Sequence, residues 1–429
     1  MTDEYFMQSL WQYSLYRPEA LRTTLGEPLT IINPGIRNRH SGPDFEEARI
    51  RIGNTMLVGH VELHIRSSDW FAHGHQRDKA YERIILHVVW EDDAPGSLPA
   101  SIPVLVLAPH VPAAIITRYR FLHESLSGIP CGHMLGNVNN LVKKAWLTRL
   151  LAERWESRFR AWDTLLQQTN GDWRMLLYWR MAENFGFRTN AAPFLRLAQS
   201  IPLVILGRHH DQLFQLEALL FGQAGFLSAE FNEEYPFRLR QEYEYLRRKY
   251  RLEPMPVHLW KFMRLRPANF PTIRIAQFAA LVHQSFHLFQ QIVAYSDLKE
   301  LTALFEGVSA SEYWDRHFRF GDQEQQKPRS RSLGGDSIAN IITNTVAPVR
   351  FMYGAQHESD DYVAQSIALL EGLEPERNAV ISEWEQRGWK PDNAAESQAL
   401  LELYHHYCSR KQCLNCSVGQ SLLRLWPDK

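Results

Sequence analysis

The chain has 429 residues, and its 47 Lys and Arg against 48 Asp and Glu leave a formal net charge of -1. That balance excludes a polycation, so any nucleic-acid surface must be local. Four cysteines in a chain of this length argue against a disulfide scaffold, and 45% hydrophobic residues supply cores for two or three domains. The opening stretch MTDEYFMQSLWQYSLY has no apolar leader core, and apolar runs such as Ile201–Leu206 are too short to span a bilayer. A soluble, cytoplasmic, metal-binding protein with no membrane partner is the expectation.

Residues 3–16 carry apolar side chains at helical spacing, and a second short helix is expected between Pro18 and Leu25. The period then becomes two. Leu29–Ile32, Phe45–Ile52, Met56–Ile65, Tyr81–Trp90 and Ile102–Leu107 read as strands, the middle pair as a hairpin around Gly53-Asn54. From Val142 onward the helical period dominates. Helices are expected over Trp146–Leu166, Trp173–Phe185, Phe194–Ser200, Asp211–Phe221, Pro236–Tyr250, Ile273–Leu288, Leu298–Phe305 and Tyr362–Leu373. Gly321–Gly335 reads as a polar, basic linker. The fold class is α+β: a small α/β domain over 1–125 (helix–strand–hairpin–helix–strand), then a large, mostly helical region over 126–429.

Ligand-type side chains concentrate between His40 and His87. With a three-residue turn, Asp44, Glu46, His60, Glu62 and His64 share one face at the open end of the hairpin, a natural divalent-metal site. A two-residue turn would put Asp44 on the opposite face from Glu62. His73 and His75 follow in a short helix or loop and can cap the same site. Asp69 reads as a helix cap, and His87 as a satisfied core histidine.

Pro43-Asp44, then Glu62-Leu63-His64 after a hairpin, resembles the PD-(D/E)XK nuclease superfamily, which sets an Asp and a Glu-x-Lys on neighbouring strands behind an N-terminal helix. The resemblance implies that Asp44 and Glu62 hold Mg2+ or Mn2+, with the Leu63 carbonyl beside them, and that DNA or RNA is the partner. His64 stands where that superfamily has Lys, so it would serve as general base instead of a fixed cation. His60, His73 and His75 are further metal candidates, and Glu4 an additional acid. Longer strings, among them GPDFEEA, GHVELHIRSSDWFAHGHQRD, EALLFGQAGFL and NTVAPVRFMYG, are similar to an uncharacterised bacterial family found mainly in Bacteroidota, which implies no activity.

Cys408-x4-Cys413-x2-Cys416, with Cys131 upstream, makes a four-thiolate set suited to Zn2+ or a [4Fe–4S] cluster. Spacing does not separate the two. His133, His405 or His406 can replace a thiolate, and buried free thiols are the bland alternative. The arrangement is similar to that of iron–sulfur nucleases, where a cluster fixes the chain's end to the nuclease domain. Arg238, Arg240, Arg247, Arg248, Lys249 and Arg251, interleaved with Tyr243, Tyr245 and Tyr250, either grip a phosphate backbone or form a solvated helix face balanced by Glu242 and Glu244. The expected function is metal-dependent hydrolysis of phosphodiesters in DNA or RNA. The alternatives are a non-catalytic nucleic-acid or protein-binding module and a small-molecule metal hydrolase.

Overall fold

The computed structural model describes residues 3–99, 101–322 and 325–425. Helix α1 (Glu4–Gln12) starts where the Asp3 carboxylate accepts the N–H of Phe6 at 2.7 Å. Phe6, Met7, Leu10 and Trp11 are spaced to share one face, and all four are fully buried. The Trp11 indole donates to Pro34 O at 2.9 Å, which ties the helix to the first turn of the sheet.

The sheet contains β1 (Leu29–Asn33), β2 (Ile36–Arg37), β3 (Phe45–Ile52), β4 (Thr55–Arg66), β5 (Ile84–Glu91) and β6 (Val104–Val106), in the order β1-β3-β4-β5-β6 with β2 also on β3. β1, β3 and β4 are antiparallel; β5 runs parallel to β4, and β6 parallel to β5. The parallel step needs a crossover, which the short helix α2 (Asp69–Ala72) and two following turns supply. β5 lies between two parallel neighbours, and Leu86, His87, Val88 and Val89 are buried in succession, as expected for a strand covered on both faces. The region from Tyr13 to Pro28 is not helical: Arg22 pairs with Pro28 as an isolated bridge.

The helical segments follow the expected order. Examples are Asn140–Gln168, Trp173–Phe185, Leu213–Gln223, Glu234–Tyr250 and Asp360–Glu371. Ala113–Glu124 and Gly335–Ile341 are helices the sequence reading left out. The second continues as a π-helical turn, Ile342–Val346, into Ala347–Gln356. Pro348 explains the turn: it has no N–H to give to the carbonyl of Asn344, so the ladder widens just before it. A second π-helical stretch, Leu403–Cys408, leads into the cysteine cluster.

Two compact units result. One comprises Met1–Thr148, Ser382–Lys390 and Leu401–Lys429; the other comprises Arg149–Ile381 and Pro391–Leu400. The division therefore does not fall at residue 125. The C-terminal segment with its three cysteines groups with the sheet, and the intervening helices form the other unit. The expected linker is no free tether either. Arg329 N–H donates to Asp315 O at 3.0 Å, Arg331 Nε to Trp314 O at 3.0 Å, and Leu333 N–H to Val308 O at 2.9 Å. Gln323 and Glu324 of that stretch lie outside the described residues. Among the described residues no helix is long and apolar enough to cross a membrane.

Candidate metal centre

The hairpin turn has two residues, not three. Ile52 pairs with Thr55 and Ala48 with Gly59 around Gly53, whose φ of +56° a side chain would oppose. Continued unchanged, that register would turn Asp44 away from Glu62. It does not continue. Between Ala48 and Phe45 the pairing shifts by one residue, with Glu47 in the left-handed region at φ 56°, and Phe45 meets Val61. This β-bulge restores the phase. Asp44 then lies opposite Glu62: the N–H of Asp44 donates to Glu62 Oε2 at 3.0 Å, and the N–H of Leu63 donates to Asp44 Oδ2 at 3.1 Å. Glu46, on the exposed side, pairs with Ile36 instead and leaves the site.

His64 is the hub. Its Nε2 lies 3.1 Å from His73 Nδ1, 3.3 Å from His75 Nε2 and 3.6 Å from Glu62 Oε1, and His75 Nε2 is 3.3 Å from that same oxygen. The ligand atoms of His64, His73 and His75 all lie within 4.8 Å of one another. Adjacent ligands of one ion at bond lengths of about 2.0–2.2 Å sit about 3.0–3.4 Å apart, so these spacings fit a single transition metal. Three imidazoles and one carboxylate suit Mn2+, Fe2+ or Zn2+ better than Mg2+, which prefers an all-oxygen shell.

Electrostatics agree with the geometry. Burial first, then the neighbouring imidazoles, pushes His64 down to about 2; burial and His75 push His87 down to about 4. Burial also lowers His75. These rings are neutral at physiological pH and keep lone pairs to offer. Asp44 is pushed upward by burial and by the negative charge of Glu4, and Glu62 by burial and by the charges of Asp44 and Glu4. A buried and a half-buried carboxylate this close call for a cation or a shared proton.

The surroundings hold these groups in place. His64 Nδ1 is 2.8 Å from Nε2 of buried His87, so a proton on Nδ1 would leave Nε2 free. His87 is thus a positioning partner of the site and more than a core histidine. Tyr81 stacks on His75 with ring centroids 3.8 Å apart, and Trp70 meets the same ring edge-on at 5.3 Å. From α1, Gln8 Nε2 donates to Asp44 Oδ1 at 2.7 Å while its oxygen accepts from Arg37. Burial raises Glu4, and the nearby His73 offsets part of that.

His60 is not brought in: its Nδ1 is buried without a hydrogen-bond partner. Asp69 is not the expected cap: it is the first residue of α2, Ser68 at the N-cap makes no side-chain capping bond, and the Asp69 carboxylate instead accepts the N–H of Arg66 at the end of β4 at 2.9 Å. Gln8, Arg37, Trp70 and Tyr81 were missed by the sequence reading. Gln8 had a signal, since it stands one turn from Glu4 on an otherwise apolar helix.

The cysteines make a second cluster in the same unit. No disulfide joins any of the four, and Cys131, Cys408 and Cys416 are buried. Burial raises every thiol, and the negative charge of Cys413 and Cys416 raises Cys131 and Cys408 further, as happens when sulfurs converge. Cys413 is pushed up to about 12 and Cys416 to about 11. The N–H groups of Val418 and Gly419, at the start of Ser417–Arg424, hydrogen-bond to Cys416. A Cβ on Gly419 would lie 2.1 Å from Cys413 O, so only glycine lets this helix sit on the Cys413–Cys416 turn. The basic helix Glu234–Tyr250 divides its aromatics: Tyr243 is buried, Tyr245 is exposed, and Arg238 and Arg247 pair with Glu234 and Glu244.

No curated protein and no solved structure is significantly similar to the chain. Residues 4–379, which hold the histidine cluster and Cys131, match the family described as "Protein of unknown function (DUF2851)", and the chain belongs to that family.

Proposed function

We propose that the protein is a metal-dependent hydrolase with a nuclease-like α/β unit, acting on phosphodiester bonds in DNA or RNA. The observation that carries the reading is the convergence of His64, His73 and His75 within 4.8 Å of one another, with Glu62 against two of them and a further carboxylate, Asp44, beside Glu62. The placement of Asp44 and Glu62 on neighbouring strands behind α1 supports the nuclease-like part.

A divalent ion held there would polarise a phosphoryl oxygen and make water a better nucleophile. The chain's own groups do the rest. Asp44, pinned by Gln8 and by the N–H of Leu63, is the base that takes the proton from water. His64 is buried and neutral, so it is assigned to ligation, where the resemblance suggested a base. His73, the most exposed of the three histidines, marks the side from which substrate enters.

A second reading rests on the same donors. Glu62 and three histidines already make four protein ligands, the complement of a closed structural site, which suits a non-catalytic binding module. At the cysteines we propose a structural Zn2+ or a [4Fe–4S] cluster; anaerobic purification separates them, since absorption near ~400 nm with about four irons per chain marks the cluster.

The test uses protein stripped of metal and reloaded with Mn2+ or Zn2+, incubated with end-labelled single- and double-stranded DNA and RNA. Cleavage by the reloaded protein and a loss of at least ~100-fold in Asp44→Asn, with metal content and melting temperature unchanged, is the expected result. Oligonucleotide binding without cleavage would select the binding module. Failure to take up either ion would remove both readings.

A further inference from the structure

A cavity of about 460 Å3 opens within the second unit, among Asn140–Gln168, Trp173–Phe185, the start of Phe187–Ser200 and the π-helical turn Ile342–Val346. Its volume suits a small molecule. Of the charged side chains that line it, four are arginines (Arg154, Arg158, Arg180 and Arg188) and one is a carboxylate, Glu183. Like charges do not gather around a void by packing alone, because each guanidinium would do better in water.

The arginines are held in place. Arg154 Nε donates to Gln398 Oε1 at 2.5 Å, and Arg158 Nη2 to Asn344 Oδ1 at 3.0 Å. Gln398 is itself buried and donates to Glu376. Arg180 lies over the Trp162 ring at 4.6 Å and pairs with Glu183, yet its Nε is buried without a hydrogen-bond partner. Asn184 and Asn340 also line the cavity.

Two backbone irregularities fall on the same wall. Phe187 sits at φ 47°, a region that a bulky side chain avoids, and Asn344 lies inside the π-helical turn. Both features cost conformational energy and recur at binding sites. Here they place a residue at the cavity that a regular helix would carry elsewhere.

We propose that this cavity binds the phosphate of a small phosphate ester or diphosphate, gripped by Arg154, Arg158, Arg180 and Arg188. Guanidinium forks match phosphate oxygens two by two, and the asparagine amides add neutral donors to the remaining oxygens. Burial holds Arg180 below its ordinary range, a cost that a bound anion offsets. The site lies wholly within the second unit and does not depend on the metal centre.

The test is calorimetric titration of the full chain with inorganic pyrophosphate at low and at physiological salt. Saturable one-to-one binding by the metal-free protein is expected, weakened at least ~10-fold in Arg158→Gln and ~3-fold or more in the exposed rim variant Arg188→Gln. Should Arg158→Gln not fold, Arg188→Gln and Arg158→Lys carry the comparison, the lysine keeping charge but losing the fork. An oligonucleotide with a 5′-phosphate then competes with pyrophosphate. Displacement assigns the phosphate to a nucleic-acid end, and failure to displace assigns it to a free compound; both uphold the cavity. No saturable binding, or binding of equal strength in the arginine variants, overturns the proposal.

Discussion

The first unit holds two sets of side chains of the kinds that ligate metals, and they are built in opposite ways. The histidine cluster is local: its donors lie between Glu62 and His75, on one strand and the crossover that leaves it. The cysteine cluster joins Cys131 to a segment near the other end of the chain. Closing a longer loop removes more freedom from the unfolded chain. The proton states differ as well. Buried His64 is neutral and ready to bind, whereas the buried thiols must each lose a proton first. On the proposed function the contrast is a division of labour, with the cysteine set serving stability and the histidine cluster serving chemistry.

The sharpest way to break that comparison is Cys408→Ser. With a metal held by the four thiols as proposed, its loss should cost about 3–5 kcal/mol and lower the melting temperature of the full chain, with metal content falling in parallel. An unchanged melting curve would make these ordinary core thiols.

Next in size is a group outside both clusters. Burial pushes Glu217, in the second unit, up to about 7 from 4.5, although Tyr235 donates to it at 2.6 Å. A raised carboxyl pKa means that the folded state keeps its proton longer than the unfolded one. Its contribution is therefore complete below pH 4.5 and is lost as pH rises through about 7. Urea melts should show Glu217→Gln overtaking the wild type by about 3 kcal/mol at pH 8 and no such gain at pH 4.5. A pH-independent difference would contradict the assignment.

The smallest expected effect sharpens the histidine side. His87→Gln should weaken Mn2+ or Zn2+ binding by about 10–100-fold, because His64 loses the partner that fixes its ring. Titration of the stripped protein measures this. A change confined to the melting temperature would return His87 to the core.

Much of this was legible in the chain. The strands and most helices declare themselves through spacing, and Asp44, Glu62, His64, His73 and His75 stand out because they lie close together in a short stretch. The route by which Asp44 reaches Glu62 was not legible. The turn at Gly53 and the bulge at Glu47 each shift the phase by one, and neither alone brings the two acids together. Single-sequence alternation carries no sign of such a pair of compensating shifts. His60 fits the alternation and still falls outside the group. The arginine cavity was invisible for a different reason: Arg154, Arg180 and Asn344 come from separate helices, and only tertiary packing sets them side by side.

The π-helical stretch Leu403–Cys408 has a consequence for tolerated length changes. A π turn holds one residue more than an α turn, and one residue is worth about 100° of rotation about the axis. Deleting any single residue between Leu403 and Tyr407 would let the ladder close as a regular α-helix. Because the turn gives up only its extra residue, Cys408 would keep its phase toward Cys413 and Cys416. An insertion at the same positions has no turn left to absorb it and would swing Cys408 about a quarter-turn, so this short stretch should accept the loss of one residue far more readily than the gain of one.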